Sequence, residues 1–259
     1  MPEFTADQQA VLNERLRREA RDSTVPHTLP VLFFGDLLNA RIATIGLNPS
    51  WQEYLSPIKQ GKLELTGLDR RFETLTSLDS SDRSALTDQQ CTQAIDTMCA
   101  YFQPGKPIYS WFRALDRVTR GLGYSYERGE VAHLDLIQEA TDPAWSELGK
   151  KKPEELRSLR QLDQPFLRWE IEQFPLTMLV CNGKTVFDTV RTLLNGRVVC
   201  NDKMALITWY IATARVIDRT VSILGWNIPL ARATGLGTEG EKNLGSRLAT
   251  HLPATASGQ

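Results

Sequence analysis

Short runs rich in β-branched and aromatic residues recur along the chain and are separated by longer polar or amphipathic stretches. Such runs predict β-strands, which we place at 31–34, 41–46, 131–137, 176–181 and 216–224. The first two runs are close together, and turn-prone residues join them. This arrangement predicts a hairpin or two successive strands.

Apolar residues at helical spacing fill much of the remaining sequence. They predict helices at 5–20, 88–102, 111–122, 183–194 and 240–251, and one or two helices within 153–174. Strands that alternate with helices favour a mostly parallel sheet covered on both faces. We therefore expect an α/β fold, a three-layer α/β/α sandwich, with ligands at the carboxyl ends of its strands.

The length of 259 residues is enough for one hydrophobic core without a metal or disulfide. We expect a single domain over 1–253, with residues 1–30 as an N-terminal helical extension. Residues 51–88 show poor periodicity and predict a long loop insertion, and loops of that length are usually functional. The tail, 254–259, is expected to be disordered.

The charge is balanced, with 30 basic and 31 acidic side chains. This balance argues against a protein that coats nucleic acid by bulk charge, although a local basic groove is compatible with it. No apolar run is long enough to span a membrane and the polar start is unlike a signal peptide, so we expect a cytoplasmic protein without a membrane partner.

The chain has four cysteines and three histidines, and it contains no Cys-x-x-Cys pair. The usual ligand spacing of zinc and iron–sulfur sites is therefore missing, and we expect neither a metal nor another cofactor. Catalysis would depend on carboxylates, amides, hydroxyls or backbone groups.

Three predicted strands run directly into polar residues that expose the backbone. Their ends carry Gly46-Leu47-Asn48-Pro49, Asn182-Gly183-Lys184 and Asn227-Ile228-Pro229-Leu230-Ala231-Arg232. In an open α/β sheet these ends would meet at one crevice.

Taken in order, these segments resemble the uracil-DNA glycosylase superfamily, and most of all its mismatch-specific uracil/thymine branch. Gly46-Leu47-Asn48-Pro49 matches the Gly-x-Asn-Pro motif of that branch, and the start of the helix at Trp111 resembles its aromatic-rich helix. The strand that runs into Gly183-Lys184 is similar as well. The last family motif is matched only loosely, because Asn227 stands where histidine is frequent and Ile228-Pro229 replaces Pro-Ser. The resemblance covers residues from about 31 to 252.

The resemblance implies an enzyme that flips a base out of DNA and hydrolyses its N-glycosidic bond. Asn48 would orient the attacking water through its side-chain carbonyl, and the backbone N–H of Leu47 would donate to the departing base. Asn227 would stand beside the leaving base. The partner would be DNA, either a duplex with a flipped base or a single strand, and we expect the protein to act as a monomer.

The resemblance also implies a base pocket. Trp51, Tyr54, Trp111 and Phe112 are placed to stack on the flipped base, with a core role as the alternative. His133 and Asp135 share one face of their strand and are expected to contact the base. A carboxylate at Asp135 accepts from an exocyclic amine, which favours a cytosine derivative over uracil. The alternative is that Asp135 pairs with an arginine or caps a turn.

DNA contacts are expected from the other two strand ends. Asn182 and Lys184, at a strand-to-helix turn, are placed to hold the substrate and a phosphate. Leu230 or Arg232 would fill the gap that the flipped nucleotide leaves.

Three functions stay open at this point. The first is removal of a modified cytosine, for example glucosylated hydroxymethylcytosine of viral DNA, in anti-phage defence. The second is repair of uracil or thymine mismatches. The third is a non-catalytic module that binds a modified nucleotide. A small-molecule enzyme of the nucleotide-binding type is disfavoured, because the glycine-rich phosphate motifs are missing.

Overall fold

The computed structural model describes residues 3–50, 53–54, 72–103, 108–233 and 235–252. Trp51, half of the predicted insertion and the tail at 254–259 lie outside the described residues. Within the described ranges the helices α1 to α7 span Ala6–Leu16, Asp88–Cys99, Ser110–Gly121, Trp145–Lys151, Pro153–Gln173, Lys184–Leu193 and Gly237–Thr250. The strands β1 to β6 span Ile42–Gly46, Val131–Asp135, Met178–Cys181, Arg197–Met204, Ile207–Val216 and Arg219–Trp226.

The six strands form one sheet in the order β2-β1-β3-β6-β5-β4. β1 pairs with β3 and β3 with β6 in parallel, whereas β5 runs antiparallel to both of its neighbours. Helices flank this mostly parallel sheet. The predicted α/β class, a three-layer α/β/α sandwich, is thereby confirmed.

Burial explains why some strands were predictable and others were not. Every residue of β1, β2 and β3 is buried, and strands covered on both faces have continuous apolar sequences. β4 is an edge strand with mostly exposed side chains. Its sequence is therefore polar and carries no hydrophobic alternation that would identify it.

The chain divides into two compact units, each assembled from three separate stretches. The first unit consists of Met1–Phe34, Leu47–Tyr101 and Asp135–Pro165. It holds α1, α2, α4 and the first part of α5. The second unit consists of Gly35–Gly46, Phe102–Leu134 and Phe166–Gln259. It holds the sheet, except for the last residue of β2, together with α3, α6, α7 and the end of α5.

The predicted strand at 31–34 is wrong. These residues are buried but belong to no strand, so the predicted hairpin does not form. The Val31 N–H donates to the carbonyl oxygen of Gln138 at 2.8 Å within the first unit. The run is apolar because it packs into the core, and periodicity alone does not separate such a segment from a strand.

The predicted single strand at 216–224 is also wrong in its bounds. Val216 ends β5, Ile217 and Asp218 form a turn, and β6 begins at Arg219. The hairpin of β4 and β5 was not predicted, nor was α4. The segment predicted as one or two helices is the single helix α5, which continues through Pro165.

Local sequence signals account for the ends of several helices. Thr5 caps α1, and its hydroxyl and the Gln8 side chain form a reciprocal capping box. Thr87 and Gln90 do the same for α2. α1 ends at Leu16, four residues short of the predicted end.

Within the second unit, α3 and α7 approach closely through two glycines. A Cβ added at Gly245 would lie 2.9 Å from the Cα of Gly121 and closer still to the Val118 carbonyl oxygen. The two backbones therefore touch where neither residue carries a side chain. Of the helices in the described ranges, none has the length and apolar character that a membrane span requires.

Candidate functional site

Asn48 follows the carboxyl end of β1 by two residues and its side chain is held in one orientation. Its Nδ2 donates to the carbonyl oxygens of Pro49 and Glu139, each at 3.3 Å, and to the Thr141 hydroxyl at 3.2 Å. Backbone carbonyls can only accept, so they determine which end of the amide faces them. Oδ1 must point the other way, and no described residue donates to it. The side chain is half-buried.

The segment that holds Asn48, residues 138–141, is itself fixed by a buried ion-pair network in the first unit. Arg83 donates two hydrogen bonds of 2.9 Å to the Glu139 carboxylate. It also donates to the Thr28 carbonyl oxygen at 2.9 and 2.7 Å. Two parallel bonds from a guanidinium to a carboxylate are stronger and more directional than one. The backbone carbonyl that orients Asn48 thus belongs to a residue whose side chain is clamped.

A second pair strengthens the same segment. Arg15, from α1, donates to Asp163 of α5 at 2.7 Å, and the Gln138 N–H donates to the other oxygen of that carboxylate at 2.9 Å. Arg15, Arg83, Glu139 and Asp163 are all almost fully buried. Charges at such depth persist only when they are paired and hydrogen-bonded.

The pKa values of the two buried carboxyls, Glu139 and Asp163, shift in opposite directions. Burial acts to raise the pKa of Glu139, but the charge and hydrogen bonds of Arg83, with Arg15, outweigh it and hold that pKa below its ordinary value. Burial raises the pKa of Asp163 to about 6, against the opposing charge of Arg15 and with support from the Glu139 carboxylate. Glu139 is therefore ionised at neutral pH, while Asp163 begins to take up protons in mildly acidic solution.

The remaining predicted residues of the first unit are Leu47, Tyr54 and Asp135. The Leu47 carbonyl oxygen accepts from the Ile137 N–H at 3.1 Å, which ties the Asn48 segment to the residues after β2. Tyr54 is completely buried, and its hydroxyl donates to the Leu29 carbonyl oxygen at 2.7 Å. Burial, with the Glu139 charge, raises its pKa well above the usual range. Tyr54 is thus a core residue here. Asp135 is buried at the end of β2.

In the second unit, the strand order creates the kind of position where α/β sheets bind ligands. β1 and β3 are neighbours in the sheet. After β1 the chain continues to β2 on one side of this pair, and after β3 it continues to β4, β5 and β6 on the other side. A crevice forms at the carboxyl ends of two strands that diverge in this way. The Asn182 N–H donates to the Ile45 carbonyl oxygen at 3.0 Å, so these two strand ends lie side by side.

Asn182 also joins the carboxyl ends of β3 and β6. Its Oδ1 accepts from the Leu230 N–H at 3.0 Å. Gly183 has a φ of 106°, and a Cβ there would lie 3.0 Å from Pro229. Only glycine suits that backbone conformation and that close approach. The two strand ends that the sequence pointed to are therefore in contact.

His133 forms the centre of an aromatic cluster in the second unit. Trp111 and Phe112 meet its ring edge to face, with centroids 5.2 and 4.9 Å away. His133 Nδ1 lies 2.7 Å from the Thr44 hydroxyl. His133 and Phe112 are buried, whereas Trp111 is 36% exposed. Trp111 is thus the member of this cluster that a ligand can reach.

The predicted DNA contacts differ in their accessibility. Lys184 is exposed, but it pairs with Asp188 at 2.6 Å and its Nζ lies 5.1 Å from the centre of the Tyr210 ring. Arg232 is exposed and has no described carboxylate within ion-pair distance. Leu230 is buried, with 6% of its surface accessible. Of the two residues predicted to fill the gap, Arg232 is therefore the one that solvent reaches.

Asn227 has both ends of its amide occupied. Oδ1 accepts from the Thr208 N–H at 3.0 Å, and Nδ2 donates to the Leu206 carbonyl oxygen at 3.3 Å. The side chain anchors the β4–β5 hairpin to the end of β6. Its role beside a leaving base stays a prediction.

The residues that hold Asn48 were not foreseen from the sequence. Glu139 and Thr141 are 91 and 93 positions away from it along the chain. Arg83 lies in the stretch 51–88, which was predicted as a loop insertion. The one available signal was the polar pair Gln138-Glu139, which follows the apolar run at 131–137.

Within the described residues, no group of three or more histidine, cysteine, aspartate or glutamate side chains is arranged to hold a metal ion. Neither a protein-family model nor a curated protein sequence matches the chain.

Proposed function

We propose that this protein is a DNA glycosylase that hydrolyses the N-glycosidic bond of a flipped base and leaves an abasic site. The observation that carries the proposal is the fixed side chain of Asn48, whose Nδ2 is held by three acceptors. Its Oδ1 is thereby directed away from those acceptors, as the orientation of a water molecule requires. The resemblance of Gly46-Leu47-Asn48-Pro49 to the glycosylase motif supports the same role.

The chemistry needs little more than positioning and charge stabilisation. As the base departs, positive charge develops on the sugar and negative charge on the base. Asn48 Oδ1 would accept a hydrogen bond from the attacking water, and the Leu47 N–H would donate to the departing base. An amide does not remove a proton from the water, so the intrinsic rate would be modest.

Base selection would depend on Asp135 and Trp111. Asp135, buried at the end of β2, would accept from an exocyclic amine and favour a modified cytosine. Trp111, the accessible member of its aromatic cluster, would stack on a base. Removal of such a cytosine from viral DNA is our preferred biological role. Arg232 would contact the DNA backbone.

The test is an assay for abasic sites on a panel of oligonucleotides. The panel contains uracil, G·T and G·U mismatches, 5-hydroxymethylcytosine and its glucosylated form, in duplex and single-stranded DNA. Asn48→Ala should lower the rate about 100-fold or more, in the range found when one preorganised polar group is removed. Asn243→Ala is the matched control, because Asn243 is exposed on α7.

Each outcome selects one function. Cleavage of a modified cytosine and not of uracil supports the preferred role. Cleavage of uracil or of mismatches assigns the protein to repair. Salt-dependent DNA binding without cleavage of any substrate points to a binding module. Equal rates for Asn48→Ala and Asn243→Ala would remove Asn48 from the mechanism.

A further inference from the structure

The segment that holds Asn48 leads directly into two packed helices, α4 and the start of α5, which we call the α4–α5 corner (residues 145–160). Thr141, whose hydroxyl accepts from the Asn48 side chain, precedes Trp145, the first residue of α4, by four positions. Four residues span at most about 14 Å, so α4 begins within that distance of Thr141. Asn48, Thr141 and the corner all belong to the first compact unit.

Arg160 of α5 lies over the indole ring of Trp145. Its guanidinium carbon, Cζ, is 4.9 Å from the centre of the ring, which is the distance of a cation–π contact. The indole in turn packs against a buried cluster of Ile137, Leu148, Leu156 and Leu159. Trp145 is therefore a fixed platform for the guanidinium. A guanidinium above an aromatic ring keeps its N–H donors for other partners.

The donors of Arg160 have no acceptor among the described residues. Nε is buried and forms no hydrogen bond within the described part of the chain. Burial lowers the pKa of Arg160, and no described carboxylate counteracts that shift. The side chain nevertheless stays charged, as arginine does in proteins. A buried donor without an acceptor costs free energy, so this guanidinium is suited to a partner that brings its own acceptors.

Three other cations of the corner each pair with a glutamate of the same corner, namely Lys151 with Glu147 at 2.8 Å, Lys152 with Glu155 at 3.2 Å and Arg157 with Glu154 at 2.7 Å. Their charges are thus compensated already. Lys150 is exposed, so water solvates its charge. Arg160 differs from all four, because it is half-buried and no described carboxylate lies within ion-pair distance of it. It is the cation of this corner that best fits a bound anion.

A phosphate group matches the donors of an arginine. The guanidinium offers parallel N–H groups whose spacing fits two oxygens of one phosphate. DNA repeats this anion along each strand, once per 3.4 Å of helix axis. The distance of about 14 Å between Thr141 and the start of α4 corresponds to about four base pairs. A strand that is engaged at Asn48 is therefore long enough to reach the corner.

We propose that Arg160 binds a backbone phosphate of DNA a few nucleotides away from the flipped base. DNA as the source of the phosphate rests on the proposed function, whereas the phosphate site itself rests on the contacts of Arg160. Trp145 is a positioning residue, because it holds the guanidinium in place and touches no phosphate.

The experiment measures the affinity for a duplex oligonucleotide over a series of salt concentrations. The proteins are the wild type, Arg160→Gln, Arg160→Lys and the matched control Arg157→Gln. Arg160→Gln should weaken binding about 10-fold and lower the slope of log Kd against log salt concentration by about 0.9, the value for one phosphate contact. Arg160→Lys should keep the slope and lose part of the affinity, since an ammonium lacks the parallel donors. Arg157→Gln should match the wild type. An arginine with a purely structural role would change the melting temperature and leave the slope unchanged.

Inorganic phosphate distinguishes the two sources of the anion. Thermal melts of the wild type and of Arg160→Gln are recorded with and without inorganic phosphate. If phosphate raises the melting temperature of the wild type alone, while both proteins bind DNA with the same salt slope, the site takes a free phosphate and its assignment to DNA is overturned.

The results also separate this proposal from the proposed function. If the wild type cleaves no base but Arg160→Gln lowers the salt slope, the glycosylase fails and the phosphate site stands. If the wild type cleaves DNA and Arg160→Gln has the same slope as Arg157→Gln, the glycosylase stands and the phosphate site is overturned. A wild type whose affinity for DNA does not depend on salt overturns the site as well.

Discussion

The side-chain nitrogen of Asn48 lies 3.3 Å from the backbone carbonyl oxygen of Glu139. The same nitrogen contacts a second carbonyl, that of Pro49, also at 3.3 Å. An amide is required at this position because a donor must face two acceptors. A carboxylate of the same shape would place negative charge against both oxygens.

Asn48→Asp should therefore be less stable than Asn48→Ala at pH 8, by about 1–3 kcal/mol, the usual cost of a buried polar group without its partner. The difference should shrink toward pH 5, because a protonated carboxyl can again donate. Urea denaturation at the two pH values measures both effects. An Asn48→Asp variant as stable as Asn48→Ala at pH 8 would contradict the assigned orientation of the amide.

The Arg83–Glu139 pair predicts that a single variant has a much lower free energy of unfolding than the double variant that removes both charges. Arg83→Met leaves the buried Glu139 carboxylate without its main partner and should cost about 3–5 kcal/mol of unfolding free energy. Arg83→Met combined with Glu139→Leu removes both charges and should recover part of that loss. Denaturant titrations of the three proteins provide the comparison.

The matched control for this pair is Arg157→Met. Arg157 pairs with Glu154 at 2.7 Å, but both side chains are well exposed. Exposed pairs contribute little, so the stability should hardly change. If Arg83→Met and Arg157→Met have equal effects, the buried pair does not stabilise the segment that holds Asn48.

Asp163 predicts a pH dependence of stability in the acid range. Its pKa is raised to about 6 in the folded chain from an ordinary value of 3.8, so the folded state binds the proton more tightly than the unfolded state. This favourable contribution is complete below pH 3.8 and is lost as the pH rises through about 6. The total change is at most about 3 kcal/mol.

Asp163→Asn removes that dependence while the shape of the side chain is kept. The wild type should lose stability relative to Asp163→Asn between pH 4 and pH 6. A constant difference across this range would show that Asp163 titrates normally.

The glycine contact between α3 and α7 predicts a steric effect. Gly245→Ala places a methyl group against backbone atoms of α3, which cannot move aside as a side chain can. We expect a loss of about 1–3 kcal/mol. Gly149→Ala, in α4, is the control. Its new Cβ would meet only the Leu156 side chain at 3.3 Å, and alanine favours the helix. Thermal melts of the two variants should shift in different directions.

The parallel strands could be predicted from the sequence because burial on both faces leaves a continuous apolar run, as in Met178–Cys181. The edge strand β4 could not, because solvent on its open side permits polar residues throughout. The run at 31–34 is equally apolar but is buried by packing instead of strand pairing. A run of apolar residues indicates that a segment is buried, but it does not show whether the segment pairs with a strand.

The candidate site was predictable only in part for a related reason. Asn48 was identifiable because its motif is local and follows a strand. Its partners depend on the path of a distant segment, which local patterns do not encode. Leu230 is likewise buried, and its N–H donates to the Asn182 side chain, which is 48 positions away. The sequence at a strand end shows which polar side chains are available there. The direction in which each side chain points depends on tertiary contacts.

The ion pair between Arg15 and Asp163 also limits how early α1 can dock during synthesis on the ribosome. The two residues are 148 positions apart. At typical synthesis rates of about 5–20 residues per second, Arg15 is made roughly 7 to 30 seconds before its partner. Glu139, whose carboxylate lies 3.7 Å from the Arg15 guanidinium, is also made late. Until both carboxylates have been made, burial of α1 would leave the guanidinium without its counter-charges. The N-terminal helix therefore stays exposed to solvent until more than half of the chain has been translated.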